Sequence, residues 1–406
     1  YNRIMKKSII ANLDLALEGK RKIDWVRRNM PILRQIESDF EREKPFKGLN
    51  VLVCIHLEAK TAYLAKVFAA GGADVSVTGS NSQSTKDDIA AALASDGLHV
   101  YAKQGVSEEE LFDNMNHALD IQPNIIIDDG GDIIEILHEK RYELLKNVFG
   151  ACEETTTGVA RAKERANNGT LKFPIMLINE AECKYIFDNY HGTGQSVWDG
   201  IMRTTNLVIA GKTVVIIGFG WCGKGIADRA KGLGANVIVC EIDPIKAIDA
   251  SMHGCRVMPL ADASALGDIF ITVTGKKNVL GKNHFPLMKN GVILANAGHF
   301  NTEINLPSLE SMAIENKCLR ENIVGYKLEN GHWLNVLGGG NLVNIACGDG
   351  HPAEVMDTSF ALQALSAEYL SKNFTKLKTD VYTIPKEIDQ KVARLRLWGM
   401  GIQIDE

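Results

Sequence analysis

The stretch from Gly211 to Glu241 constrains this chain more than any other: G-K-T-V-V-I-I-G-F-G-W-C-G-K-G, about one helix, then A-N-V-I-V-C-E. The β-branched run Thr213 to Ile217 predicts a buried strand, and Gly218, Gly220 and Gly223 follow it at once. That spacing lets a backbone turn tightly, approach a pyrophosphate and pack a helix against a sheet. A helix opening near Cys222 aims unpaired N–H groups and the positive end of its dipole at the phosphates. The next strand, Asn236 to Cys240, ends on Glu241, whose carboxylate accepts from a ribose 2′-OH and repels a 2′-phosphate, so NAD is expected rather than NADP. A glycine turn that merely joins strand to helix would leave Glu241 without a purpose.

At 406 residues the chain is long for one core and predicts roughly two to three domains. The formal net charge is −5 and no basic tract stands out, which argues against nucleic acid and anionic membrane surfaces as partners. No apolar run reaches the roughly 18 residues of a membrane span, and Y-N-R-I-M-K-K-S-I-I lacks the pattern of a secretory signal. A cytoplasmic protein is expected. The eight cysteines form no C-x-x-C pair, so free thiols and no metal site are expected.

Residues 1–48 read as a helical surface layer, with apolar spacing through Trp25, Met30, Leu33 and Ile36. From Val51 strands alternate with helices: V-L-V-C-I, a helix over Thr61 to Ala70, A-D-V-S-V-T, a helix over Lys86 to Ser95, H-V-Y-A, another helix, then N-I-I-I-D. Continuous β-branched strands separated by helices predict a parallel sheet covered on both faces. The fold class is therefore α/β, with two doubly wound parallel-sheet domains, one of them a Rossmann domain. Ligands of such sheets lie beyond the carboxyl ends of the strands, where His56 and Asp129 stand. Glu153-Glu154-Thr155-Thr156-Thr157 precedes a helical stretch, as either a capping cluster or a set of ligand contacts. Lys184 and Asp188 are spaced i,i+4, which fits a surface ion pair or a site, and Asn189 follows. His299, just past a strand end, and His351, before a proline in a glycine-rich turn, are candidates for ligand contact.

At these residues the chain resembles S-adenosylhomocysteine hydrolases. The blocks are D-D-G-G-D at 128–132, E-E-T-T-T-G-V at 153–159, F-D-N at 187–189, G-x-G-x-x-G-K-G at 218–225, E-I-D-P at 241–244, N-A-G-H-F at 296–300, and L-V-N…G-H-P at 342–352. They run in order through almost the whole chain. The resemblance implies a redox cycle inside a hydrolysis: NAD takes hydride from the ribose 3′ carbon, the ketone acidifies the 4′ C–H, homocysteine is eliminated, water adds, and the hydride returns. It implies a substrate-binding domain at 1–188 and 353–383, an NAD-binding domain at 189–352, a C-terminal arm at 384–406, and a homotetramer. Joints near 189–198 and 350–354 imply domain closure over the ligand.

By the same resemblance Lys184 helps remove the 3′-hydroxyl proton, Glu154 and Asp188 bind the ribose hydroxyls, and Asp129 and His56 form the acid–base pair near the 4′ and 5′ carbons, with His299 nearby. Thr155, Thr156, Thr157, Asn189 and Asn344 match cofactor contacts; Phe300, His351 and Met356 match residues enclosing the nucleoside.

Three departures from the family pattern matter. Thr193 stands where many members carry a cysteine. In His56-Leu57-Glu58-Ala59-Lys60-Thr61 a lysine replaces the acid that reaches the purine 6-position. Lys60 can donate to a hypoxanthine O6 while Glu58 accepts from N1–H, or the two can swap duties on adenine; otherwise Lys60 is solvated on the helix face. Thr61 is placed with them on the substrate. Finally, many relatives end in a longer tail with a Lys and a Tyr, whereas this sequence stops at I-Q-I-D-E, as a truncated chain or a shorter-tailed branch. The implied reaction is hydrolysis of S-adenosylhomocysteine, the alternative being S-inosylhomocysteine. An ordinary NAD-dependent dehydrogenase or a silent nucleotide-binding relative would have little use for Asp129, Glu154, Lys184 and Asp188 together.

Overall fold

The computed structural model describes residues 8–405, so the first seven residues of the expected helical layer, and Glu406 of the expected arm, lie outside the described residues. The chain forms two compact units: one runs to Tyr185 and resumes at Ala353, the other is Ile186–Pro352. Strands Asn50–Ile55 (β1), Asp74–Gly79 (β2), His99–Tyr101 (β3), Ile125–Asp128 (β4), Gly150–Glu153 (β5) and Ile175–Leu177 (β6) belong to the first unit. The second contributes Thr213–Ile217 (β7), Asn236–Cys240 (β8), Arg256–Val257 (β9), Ile269–Thr272 (β10), Val292–Asn296 (β11), Ala313–Arg320 (β12), Ile323–Leu328 (β13) and Trp333–Leu337 (β14). Val381–Thr383 (β15) then returns to the first sheet.

The first sheet has the order β15-β6-β5-β4-β1-β2-β3 and is parallel throughout. From β1 the chain winds outward to β3; from β4 it winds the other way. The order reverses between β1 and β4, which is where such a sheet opens a crevice at its carboxyl edge. Helices on its faces bury apolar rows against β1 and β4, whose inner residues Val51–Val53 and Ile125–Ile127 are fully enclosed. The Pro31–Glu43 helix starts on a proline, whose missing N–H costs nothing at that position, and buries Ile32, Leu33, Ile36 and Phe40. In the preceding helix, Ala16–Arg28, the buried residues are Gly19, Ile23 and Val26. Trp25, expected on that apolar stripe, is instead 67% exposed, because a residue two past Ile23 lies on the other side of the helix.

The second sheet has the order β12-β13-β14-β11-β10-β7-β8-β9. Its β7–β11 core, with β14 beside β11, is parallel and reverses between β7 and β10. β12–β13 and β13–β14 pair antiparallel, so this sheet is mixed rather than wholly parallel as expected. The expected C-terminal arm is a helix, Lys386–Gly399, following β15 within the first unit. All eight cysteines are free thiols. Among the described residues no helix is long and apolar enough to cross a membrane.

Candidate active site

In the first unit the reactive side chains stand at strand ends. His56 follows β1, with Nδ1 2.6 Å from Ser84 Oγ and Nε2 3.4 Å from Asp129 Oδ2. Asp129, just past β4, is buried and also accepts from Ser80 Oγ at 3.2 Å. The two therefore share the carboxyl edge at the point of strand reversal. Thr61 Oγ1 donates to the His56 carbonyl at 2.7 Å. Glu58 caps the Ala59–Ala70 helix, accepting from the backbone N–H of Lys60 and Thr61. Its Oε2 also lies 2.6 Å from Lys60 Nζ. Lys60 is only 5% exposed, so it is not a solvated surface lysine.

At the end of β5 two glutamates divide the work. Glu154 accepts from Gln363 through Oε2 and places Oε1 3.6 Å from Lys184 Nζ. Lys184 donates to Asn179 Oδ1 at 3.3 Å, and Asn179 in turn donates to Thr156 Oγ1 at 3.0 Å. Lys184 and Glu154 are both buried, so their attraction acts with little screening from water. Thr155 is the residue before the Thr156–Asn167 helix but its hydroxyl makes no capping bond, and Thr157 is half-buried in the first turn. The capping alternative for these hydroxyls therefore fails; Glu153 does the corresponding work, accepting from the N–H groups of Gly130 and Thr155 at 2.9 and 3.0 Å. Asp128 accepts from Asp129 N and Ile134 N. These buried carboxyls hold the loops that present Asp129 and Glu154. Burial pushes Asp128 and Glu153 well above the usual carboxylate range, with repulsion from Asp132 and Asp129 adding to it at Asp128 and repulsion from Asp128 and Asp129 at Glu153. A Cβ on Gly158 would sit 2.1 Å from the Glu153 carboxyl carbon, which explains that glycine. Met356, in the Ala353–Asn373 helix, is buried in the same unit.

In the second unit β7 runs into Gly218, whose φ of +105° favours glycine. Gly220 precedes the Trp221–Gly232 helix with open space in front of it, while a Cβ on Gly223 would lie 2.2 Å from the Gly218 carbonyl oxygen. Glu241 accepts from Phe219 N at 2.8 Å through Oε2, and from Ile242 N and Asp243 N through Oε1. The carboxylate is thus aimed at the glycine loop. This side-chain-free cradle, helix N-terminus and acid fit a dinucleotide with an unphosphorylated ribose.

Asp188 and Asn189 lie in a π-helix, Tyr185–Gly192, entered from a single α-turn, Glu182–Lys184. The α-helical i,i+4 geometry expected for Lys184 and Asp188 therefore does not apply, since a π-turn advances fewer degrees per residue. Asp188 Oδ1 is 3.2 Å from His351 Nε2, which is also 3.3 Å from Thr193 Oγ1. His351 Nδ1 lies 2.9 Å from Ser196 Oγ, to which Asn344 donates at 3.1 Å. Thr193 Oγ1 also donates to Cys222 Sγ at 3.5 Å, in the first turn of the Trp221–Gly232 helix. His299 and Phe300 meet edge to face in the loop after β11. That loop is clamped by buried Asn296, which donates to the carbonyls of Gly298, Phe300 and Gly340 and accepts from Gly298 N and Thr272 Oγ1.

The sequence does not single out Asp128, Asn179, Ser196, Asn296 or Gln363 as members of these networks. Asn179 is signalled by its place just past β6, and Ser196 by none.

A dinucleotide fold with an acid closing its second strand, in one chain with a unit whose strand ends carry a His–Asp pair and a buried Lys–Glu pair, defines an NAD-using enzyme of a small-molecule substrate. Residues 189–350 match the S-adenosyl-L-homocysteine hydrolase NAD binding domain and residues 7–144 match S-adenosyl-L-homocysteine hydrolase. An adenosylhomocysteinase of Pyrococcus abyssi is 53% identical over 98% of this chain and 94% of its own length. An S-inosyl-L-homocysteine hydrolase of Methanocaldococcus jannaschii is 54% identical over 98% of this chain and 95% of its own. The chain belongs to the S-adenosyl-L-homocysteine hydrolase family, and it is a thioether hydrolase with NAD as its cofactor.

Proposed function

We propose that the enzyme reversibly hydrolyses S-adenosyl-L-homocysteine to adenosine and homocysteine through transient oxidation of the ribose 3′ carbon, and that it accepts the inosyl thioether as well. The observation that carries this reading is the buried Lys184, whose amine is held by Asn179 and Glu154 and would exchange a proton with a ribose hydroxyl. A hydrolase acting directly on the thioether would need no such group.

NAD would be held by Gly218, Gly220, Gly223 and Glu241, with Thr155, Thr156, Thr157, Asn189 and Asn344 as further contacts. When bound it supplies a hydride acceptor for the 3′ carbon and returns the hydride at the end. Lys184 Nζ takes the 3′-hydroxyl proton, while Glu154 and Asp188 accept hydrogen bonds from the ribose hydroxyls and fix the sugar. The 3′ ketone acidifies the 4′ C–H, and the His56–Asp129 pair, with His299, handles the protons at the 4′ and 5′ carbons as the thiol leaves and water adds. Phe300, His351 and Met356 enclose the nucleoside.

The second substrate rests on the Lys60–Glu58 pair, which offers one donor and one acceptor to a purine edge. Hypoxanthine satisfies both through O6 and N1–H; adenine satisfies both if the roles exchange. Thr61, bonded to the His56 carbonyl, fixes the two groups relative to the acid–base pair. Thiol release measured with both thioethers tests the reading: the inosyl compound is expected at a rate comparable with or above that of the adenosyl one. A preference for adenine beyond about 100-fold, unchanged in Lys60→Ala, would remove Lys60 from base recognition, since a mismatched buried hydrogen bond costs about 1 to 3 kcal/mol.

The enzyme acts in the cytoplasm as a homotetramer, with no nucleic-acid partner. The exposed Ile242, Ile245, Ile248 and Met252, in and beside the Pro244–Met252 helix, support self-association, which sedimentation at working concentration would test.

A further inference from the structure

We propose that Asp389, on the C-terminal helix, is a positioning residue for the reaction: its carboxylate holds the turn that carries Lys184 and thereby sets where the amine stands. The inference rests on the reading of Lys184 as the group that exchanges the 3′-hydroxyl proton.

Lys184 closes a single α-turn, Glu182–Lys184. So short a turn has almost no stability of its own, and its leading N–H groups need partners from elsewhere. The preceding residue, Ala181, is extended and has no side chain able to cap it. The partners come from the far end of the sequence. Asp389 Oδ2 accepts from Glu182 N at 2.9 Å and Oδ1 from Cys183 N at 3.1 Å, so both oxygens are committed to this turn. The Cys183 thiol donates to the Asp389 carbonyl at 3.5 Å. An acid in the first turn of the Lys386–Gly399 helix would favour that helix's dipole wherever its oxygens pointed. Donation of two successive N–H groups from another segment is a separate relation, and a charge-assisted one.

The same C-terminal stretch braces the other end of the lysine segment. β15 pairs in parallel with β6, matching Val381 to Ile175 and Thr383 to Leu177, and Ile175 N donates to Asp380 O at 3.0 Å. Residues 175–184 are therefore held at the start by a strand and at the end by a carboxylate, with Asn179 between them gripping Nζ. A buried amine with partners at 3.3 and 3.6 Å has little tolerance for displacement; misplacing a reacting group by about 1 Å costs on the order of 10²-fold.

The test compares Asp389→Ala, Asp389→Asn and Asp389→Glu in the full chain with its cofactor bound. The readouts are cofactor content, the first-turnover rate of 3′-oxidation followed by cofactor absorbance, and the pH profile of that rate. Asp389→Ala is expected to retain cofactor, to slow oxidation by about tenfold or more, and to move the limb of the pH profile that disappears in Lys184→Met. Asp389→Asn keeps one acceptor oxygen for the two N–H groups and loses the charge, so its rate should fall between those of wild type and Asp389→Ala. Lower thermal stability in Asp389→Ala with oxidation and pH profile unchanged would make Asp389 a purely structural residue and overturn the proposal. If Asp389→Ala fails to fold, Asp389→Glu decides: a comparable loss sustains the proposal and a wild-type rate overturns it. Wild-type oxidation by Lys184→Met would instead sink the underlying assignment of the lysine, whatever the Asp389 variants do.

Discussion

Lys184 stands buried between Asn179 and Glu154, both of which orient its amine. Replacing it with Met keeps the bulk and removes the proton acceptor, so 3′-oxidation should fall by about 10²- to 10⁴-fold with the fold intact. Single-turnover absorbance measures the loss. Glu241 gives a second prediction. Glu241→Ser removes the charge that faces a 2′-phosphate and the acceptor of the Phe219 N–H, so NAD should bind more weakly and NADP relatively better. Titration of both cofactors checks the ratio; an unchanged preference would take Glu241 away from the ribose. Residues at strand ends, such as His56 and Asp129, were legible in the sequence because the parallel α/β pattern dictates where loops converge. Gln363 was not, since a buried glutamine inside a 21-residue helix has the same surroundings in sequence whether or not a glutamate waits opposite. Glu153 was legible only as half of a pair, and nothing in two adjacent glutamates says which one faces the backbone and which the lysine.

Elements show where periodicity suffices and where it does not. The parallel strands were readable because both faces are buried and the residues run apolar without interruption. β12 was not: all its residues after Ala313 are exposed, so no alternation marks it, and the antiparallel ribbon it forms escaped prediction. The turn before the π-helix escaped for another reason, namely that its cap lies some two hundred residues away. Long-range capping recurs at the Pro31–Glu43 helix, where Asp357 accepts from Ile32 N at 3.0 Å and Leu33 N at 2.8 Å. Burial pushes that carboxyl up to about 6 from an ordinary 3.8, against the opposing pull of those two N–H groups and, more weakly, of Arg396 and Arg34. Between about pH 4 and 6 the folded protein therefore binds the proton more tightly than the unfolded chain. The stability this contributes is full below about pH 4 and is lost as pH rises through about 6. Asp357→Asn should flatten this dependence, and urea midpoints from pH 4 to 7 should show wild type losing up to about 3 kcal/mol relative to the variant. Parallel curves would mean that Asp357 does not titrate in this window.

At the scale of the whole molecule the alternation of strand and helix conveyed two sheets and a glycine fingerprint assigned one of them its cofactor. The crossing points are set by contacts that no local pattern records. Because the first unit stops at Tyr185 and resumes at Ala353, it is manufactured in two instalments separated by the entire second unit. A ribosome that has reached Pro352 has released every strand of the cofactor-binding sheet. The other sheet still lacks β15 along β6, Asp357 on the Pro31–Glu43 helix, Gln363 on Glu154 and Asp389 on the lysine turn. Nascent chains arrested with residue 352 clear of the exit tunnel should resist protease over 186–352 when NAD is present, and should be cut within the first 185 residues. Release of about 50 further residues should abolish that cutting. The lysine turn would then become ordered after the cofactor-binding sheet, and a chain that has already gained its cofactor would have no competent lysine until residue 389 has been made.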